Sequence, residues 1–363
     1  MKRIAFFLPN LHGGGAERVA INLVKGMSEK GIHLDLVLAD AEGPYLNQVP
    51  QQVRLINLAA GGVMKAILPL SHYLQQNRPF ALLSHLNHAN VAAVLARELS
   101  SIKTRLVLVE HNNLSASKSK LIRGHFVKPF MQWLYPRSDA IVGVSLGVAH
   151  NLEKQLGLPK GRVTTIYNPV VDRELLWQSQ QPIDHPWFQK DFPPVFLAVG
   201  RLTEQKDFVT LIKAFAVLRK QLMARLLILG EGESRSELEA TINALGIAED
   251  VSLPGFVSNP YAYMTNASAF ILSSRWEGLP TVLIEAMACG CPVISTDCPS
   301  GPEEILEAGK YGHLIPVGDA EALSEAMLKI LEHPINRNLT VHKALQFSLE
   351  RSICQYLEVL DYD

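Results

Sequence analysis

Ser273-Ser274-Arg275-Trp276-Glu277-Gly278-Leu279-Pro280-Thr281-Val282-Leu283-Ile284-Glu285-Ala286-Met287-Ala288-Cys289-Gly290 is the stretch from which the fold can be read. The apolar run 269–272 before it is a short buried strand that ends at the two serines. Residues 275–279 form a loop. Pro280 suits a first helical position, where a missing N–H costs nothing, and Gly290 suits the residue just past a helix end. A helix that starts at a sheet's carboxyl edge aims its free N–H groups and its dipole at whatever binds there, and favours an anion such as a diphosphate. Glu277 precedes the helix. Glu285 lies inside it, one turn beyond Thr281 on the same face. Carboxylates in these two places can accept hydrogen bonds from sugar hydroxyls on either side of a phosphate. The plainer reading, a capping glutamate and a solvated helix glutamate, stays open.

The same rhythm runs outward in both directions. Strand-like runs are expected at 2–9, 32–39, 53–56, 80–84, 105–109, 140–144 and 163–166, then at 195–199, 225–229, 251–253, 269–272 and 293–295. Helical spacing marks 16–27, 90–98, 130–135, 207–218, 236–245, 280–289 and 320–331. Short continuous apolar strands between helices imply parallel sheets covered on both faces. The chain of 363 residues is long enough for two such domains. A boundary is expected near Asn168-Pro169, before a polar stretch at 177–191. The expected division is 1–170 and 171–345, two doubly wound α/β domains facing each other across a cleft. The segment 346–363 is expected to be a helix that returns to the first domain, with Phe347, Ile353, Tyr356, Leu357 and Leu360 as its buried stripe.

Composition narrows the class. With 48% apolar and 19% charged residues the chain is no disordered tail. No run reaches 18 uninterrupted apolar residues, so no spanning helix is expected. The apolar run after Met1-Lys2-Arg3 is too short for a signal peptide, and a cytoplasmic protein is expected. Cys289, Cys291 and Cys298 cluster, with Cys354 far off. They form no paired zinc motif, so idle reduced thiols are expected and no metal. Net charge is −1, yet residues 1–170 hold 19 Lys+Arg against 9 Asp+Glu, a balance of +10, and the remainder balances at −11. One half is therefore expected to face something anionic. The excess is spread out and carries no recognisable nucleic-acid motif, which favours an anionic membrane surface over nucleic acid. The segment 123–137 mixes Arg123, Lys128 and Arg137 with Phe130, Trp133 and Tyr135. It reads either as an in-plane membrane contact or as a core helix with a solvated basic face.

Residues 277–306, EGLPTVLIEAMACGCPVISTDCPSGPEEIL, with Glu277 and Glu285 separated by seven residues, resemble the signature of the retaining glycosyltransferases of family 4, which have the GT-B fold. Other segments support the likeness along nearly the whole chain. Residues 13–19 (GGGAERV) look like the family's first-loop motif, with Gly14 and Gly15 beside the donor. Glu110-His111-Asn112-Asn113 resembles its cleft histidine, and Asn168-Pro169 its hinge. Residues 200–206 (GRLTEQK) resemble the donor-phosphate loop. Gly230-Glu231-Gly232 and Gly255-Phe256-Val257 resemble the nucleoside-side segments.

The residues have their own readings beside this one. Residues 200–206 join a strand to a helix with Asp207 as N-cap and Phe208, Leu211, Ile212 and Phe215 facing the core. Arg201 and Lys206 then stand at a strand's carboxyl end, where a phosphate would lie, or are two surface cations. Residues 13–15 let backbone approach a ligand. GGGAE is not GxGxxG, so a dinucleotide fingerprint with Asp40 is disfavoured. His111 is either structural or aimed into the cleft; the resemblance gives it contact with the donor sugar. His85, Asn87, His88 and Asn90 also follow a strand and are either acceptor-side or structural.

The resemblance implies transfer of a hexose or N-acetylhexosamine with retention. The expected donor is a UDP-sugar. The expected acceptor is an undecaprenyl-diphosphate-linked saccharide in surface polysaccharide or lipid-linked oligosaccharide synthesis, at the inner membrane face. Arg201, Lys206 and the helix start at Gly278, Leu279, Pro280 and Thr281 would stabilise leaving-group charge without a metal, and the chain has no Asp-x-Asp pair. Glu277 and His111 would orient the sugar, Glu285 would hold the ribose, and backbone at Val257 would read the base. An epimerase of the same fold, or a non-catalytic nucleotide-sugar-binding protein, are the alternatives.

Overall fold

The structure is a computed structural model that describes residues 2–12, 15–111, 114, 123–189, 192–299 and 301–362. Gly14, Asn112 and Asn113, singled out above, lie outside the described residues.

Strands β1 (Arg3–Leu8), β2 (His33–Leu38), β3 (Arg54–Asn57), β4 (Ala81–His85), β5 (Arg105–Glu110), β6 (Ala140–Gly143) and β7 (Val163–Thr165) form one sheet in the order β3-β2-β1-β4-β5-β6-β7. Strands β8 (Val195–Val199), β9 (Arg225–Leu229), β10 (Val251–Gly255), β11 (Ala269–Leu272), β12 (Val293–Thr296) and β13 (His313–Ile315) form a second, in the order β10-β9-β8-β11-β12-β13. Every neighbouring pair is parallel. Both sheets are covered by helices on both faces, which is why strands such as AFFL in β1 and ALLSH in β4 are buried throughout. In each sheet the strand order reverses once, between β1 and β4 and between β8 and β11. Such a reversal splays the two following helices to opposite faces and opens a crevice at the strands' carboxyl ends. The loops after β1, β8 and β11, at the switch points, carry three of the sequence motifs, and His111 follows β5, the neighbour of β4.

Some elements differ from the sequence reading. Strand β13 was not foreseen; three residues are too few to show a period. Helices Ile67–Asn77 and Leu146–Leu156 also escaped it. The second had start and stop signals: Ser145 Oγ accepts from the Val148 N–H at 3.1 Å, and Gly157 closes the helix at φ +67°. The helix expected at 130–135 begins at Arg123 and runs through Pro129 to Leu134. No helix among the described residues is long and apolar enough to cross a membrane. Cys289, Cys291 and Cys298 are buried free thiols and Cys354 is an exposed one.

The chain divides into two compact units, residues 1–169 with 349–363, and residues 170–348. The last helix, Leu349–Val359, belongs to the first unit, where Ile353, Tyr356 and Leu360 join the core around β1, β4 and β5. It packs on helix Gly15–Glu29 at Gly26, where an added Cβ would stand 2.5 Å from Ile353 Cδ1 and would make that side chain shift. Arg105 ties the far end, donating from Nε to the Val359 carbonyl at 2.8 Å and pairing with Asp361. Phe347 is not on this stripe. It is buried in the second unit, one 3-10 turn before the return, and its carbonyl accepts from the Val170 and Val171 N–H groups at 2.9 and 3.1 Å.

Candidate functional site

In the second unit, glycines let the loops at the sheet's carboxyl edge rest backbone on backbone. Gly230 has φ +143°, and a Cβ there would lie 1.9 Å from the Gly200 carbonyl oxygen. A Cβ on Gly232 would meet the Leu202 oxygen at 2.3 Å. The Gly230 N–H donates to Gly255 O at 2.8 Å, and the Leu202 N–H to Glu231 O at 2.9 Å. This close floor leaves the side chains of the β8 loop to define the surface. Arg201 is exposed and makes no ion pair among the described residues. The Lys206 stem lies over Gly200, with Cε 3.2 Å from where a Cβ would be. Asp207 caps helix Phe208–Arg219 by accepting from the Thr210 N–H, and Phe208, Leu211, Ile212 and Phe215 are buried as the spacing implied.

Lys206 and Glu277, 71 residues apart, meet. Lys206 Nζ lies 2.6 Å from Glu277 Oε1, with side chains 17% and 9% exposed. The Ser274 hydroxyl donates to the same oxygen at 2.6 Å, and the Ser273 hydroxyl donates to the Lys206 carbonyl at 2.7 Å. The β8 and β11 loops are laced further by the Arg275 N–H on Gln205 O, by Gln205 Nε2 on Trp276 O, and by the Arg275–Asp207 ion pair at 3.1 Å. Sequence reading singled out none of Ser273, Ser274, Gln205 or Asp207 for this work. The paired serines at the strand end were the available signal; the Gln205 contact had none.

Helix Thr281–Ala288 begins one residue later than expected, with buried Pro280 as its N-cap and no side-chain cap bond. Pro280 is wedged by the next loop: a Cβ on Gly301 would be 2.5 Å from its Cδ. Gly278, Leu279, Thr281 and Glu285 are all half-buried beside this helix start. The other end closes as the sequence implied, with Gly290 at φ +73° and Arg337 Nη2 donating to the Cys289 carbonyl at 2.7 Å. Past β10, Val257 is half-buried and Phe256 is 82% exposed. Together these elements offer cations, an open helix start and half-buried carboxylates at one switch point, suited to an anion attached to a hydroxyl-rich group.

In the first unit, Gly15 is exposed and opens helix Gly15–Glu29 after β1. His85 ends β4 and His111 follows β5. Their rings are 5.3 Å apart, with His85 Nδ1 3.0 Å from His111 Nε2. Burial lowers His111 to about 4 and holds His85 well below the ordinary imidazole range, so both rings are neutral near pH 7. Glu110, on the opposite side of β5, accepts from the Tyr135 hydroxyl and, at 2.9 Å, from Asn90 Nδ2. Burial raises its carboxyl to about 7 against these two bonds. Asn90 is thus committed to this network inside helix Asn87–Ser100. On helix Arg123–Leu134, Met131 and Leu134 face the core while Lys128, Phe130 and Trp133 are exposed. Arg137 covers the Trp133 ring at 3.9 Å.

Residues 13–174 match the family model described as Glycosyltransferase Family 4, and residues 180–346 that described as Glycosyl transferases group 1. A Campylobacter jejuni enzyme named N-acetylgalactosamine-N,N'-diacetylbacillosaminyl-diphospho-undecaprenol 4-alpha-N-acetylgalactosaminyltransferase is 30% identical over 361 residues, 95% of this chain and 94% of that protein. The chain belongs to glycosyltransferase family 4. Solved glycosyltransferase structures share its architecture. The lipopolysaccharide outer core galactosyltransferase WaaB superposes with a TM-score of 0.79 at 21% identity, over 99% of both chains. Anabaena HepE in complex with UDP superposes with a TM-score of 0.80 at 20% identity, over 99% of this chain and 100% of that one. The two sheets are the two Rossmann-like domains of the GT-B fold.

Proposed function

We propose that this glycosyltransferase moves a hexose or N-acetylhexosamine from a UDP-sugar to an undecaprenyl-diphosphate-linked saccharide, retaining the anomeric configuration. The Lys206–Glu277 pair beside the open start of helix Thr281–Ala288 carries this reading. An ammonium has three N–H donors, so Lys206 can keep Glu277 and still reach a phosphate oxygen. Arg201, with no ion pair among the described residues, supplies a second cation. Charge developing on the departing diphosphate is met by fixed positive groups, and no metal is required. Glu277 and His111 orient the sugar, Glu285 binds the ribose and Val257 backbone reads the base. No carboxylate is assigned as a nucleophile; attack comes from the face the diphosphate leaves. The Campylobacter relative, named for a diphospho-undecaprenol substrate, and the UDP complex of HepE support the acceptor and donor classes.

The proposed lipid-linked acceptor supports a reading in which the enzyme works at a membrane surface. The exposed Lys128, Phe130, Trp133 and Arg137 give helix Arg123–Leu134 and its extension an aromatic and basic outer face, suited to the anionic inner leaflet.

Thermal shift with a panel of nucleotide sugars tests the donor. A ligand at about 100 times its dissociation constant adds ~2.7 kcal/mol to stability. UDP and one UDP-hexose or UDP-N-acetylhexosamine should raise the melting temperature, and GDP-, ADP- and CMP-sugars should not. The stabilising donor should then give an acceptor-dependent glycoside. Stabilisation by a different nucleotide overturns the donor, and UDP release with a new epimer and no acceptor overturns the transfer.

A further inference from the structure

We propose that His85 is a positioning residue that holds His111 as a neutral imidazole with its proton on Nδ1, so that His111 meets its ligand as an N–H donor. The ligand-facing part rests on the reading of His111 as a sugar contact; the tautomer does not. The two residues occupy the ends of adjacent parallel strands, with His85 in register with Val109. The chain leaves β4 through Leu86 at φ +79°, a backbone conformation costly for leucine that persists only where the surroundings fix it. The His85 ring is fully buried and stacks on Phe6, centroids 5.9 Å apart and planes 13° apart.

Two neutral imidazoles can share one hydrogen bond in two ways. If His111 Nε2–H donates, His85 Nδ1 must be bare and the His85 proton must sit on Nε2. Among the described residues that buried Nε2 has no partner, and the arrangement strands a donor there. If His85 Nδ1–H donates instead, the stranded Nε2 is only a bare lone pair. Among buried backbone groups orphan donors are rarer than under-satisfied acceptors, and the same preference carried over to the imidazole selects the second arrangement. His111 Nε2 is then the acceptor and the His111 proton is on Nδ1, the nitrogen left for a ligand on this half-buried ring. Burial keeps a shared extra proton off the pair. His85 thus touches no substrate; it decides which nitrogen of His111 donates, as outer-shell partners do for metal-bound histidines. A ring fixed this way favours a hydroxyl or carbonyl oxygen as its ligand.

The test is a long-range 1H–15N correlation of the imidazoles of the full chain, with resonances assigned from His111→Ala and His85→Asn. Both rings should show protonated Nδ1 and bare Nε2. A proton on His111 Nε2 overturns the proposal in the parent protein alone, whether or not any variant folds. His85→Asn, whose amide places a donor near the former Nδ1, should keep the His111 tautomer. His85→Leu should release it into a mixture and lower kcat about tenfold at little change in donor KM, the range seen for outer-shell partners. A His85→Leu protein with the His111 tautomer and kcat of the parent overturns it too. If His111→Ala turns over UDP-galactose and UDP-N-acetylgalactosamine like the parent, the sugar contact fails while the tautomer stands.

Discussion

Lys206→Ala should separate two things that the Lys206–Glu277 contact combines. It leaves a carboxylate only 9% exposed with one remaining hydrogen bond, from Ser274. Orphaning a charged partner costs on the order of 1–3 kcal/mol in stability. The roughly 3–5 kcal/mol typical of fully buried pairs is too much here, because Lys206 is itself 17% exposed and water can take its place. The catalytic loss is separate. Removing one fixed positive group from the leaving-group side costs ~3 kcal/mol of barrier, or about 150-fold in rate. Adding Glu277→Gln removes the orphaned charge and keeps the shape. The double variant should therefore recover most of the stability and none of the turnover, with a coupling of about 0.5–3 kcal/mol. Urea midpoints and initial rates of UDP release at saturating UDP-sugar measure both. Single-variant turnover within about threefold of the parent, or turnover that returns together with stability, would mean that Lys206 serves only as the partner of Glu277.

Turnover should survive EDTA, since Arg201, Lys206 and the helix start carry the neutralising role; loss on chelation with rescue by magnesium or manganese would refute that assignment. Ile353→Ala should cost about 2–5 kcal/mol and deletion of 349–363 more, both read as a fall in melting temperature; an unchanged melt would show that the return contributes nothing. Glu110, raised by burial to about 7 from 4.5, binds its proton more tightly in the native state. Its contribution is complete below about pH 4.5 and is lost as pH rises through 7, so Glu110→Gln should remove that slope from the parent's urea midpoints, and parallel profiles would contradict it. Replacing Arg123, Lys128 and Arg137 with Ser should weaken binding to anionic vesicles at low salt, at about 1 kcal/mol per basic residue; cosedimentation equal to the parent's would clear this face of docking.

All strands but β13 were legible, most of them as short continuous apolar runs flanked by helical spacing; β1 and β8, at the switch points, follow this rule. Glu277, Arg201 and Lys206 were legible as candidates because each sits where a strand hands over to a helix, and Glu285 because it lies one turn into the helix that follows, positions that sequence alone marks. Pairing was not legible. Lys206 and Glu277 stand on loops after β8 and β11, strands that become neighbours only because the chain crosses back past β9 and β10. His85 and His111 likewise meet through strand register, and His85 carried no local sign of its partner. Phe347 was misplaced because helical spacing continues through it, while the chain breaks at Ser348 into extended backbone that bridges Val171.

The returning helix also sets an order of events at the ribosome. Ile353, Tyr356 and Leu360 complete a core whose other residues end at Ile166, and the whole second unit, about 180 residues, is made in between. At roughly 5–20 residues per second this gap lasts about 10–40 s. Through that interval the nascent first unit shows a bare apolar strip along helix Gly15–Glu29, centred on the notch at Gly26, while the second unit can emerge and fold with all its parts in hand. Of the two units the first is therefore completed after the second, and a chain cut short before residue 349 has every residue of its second unit and an open core in its first.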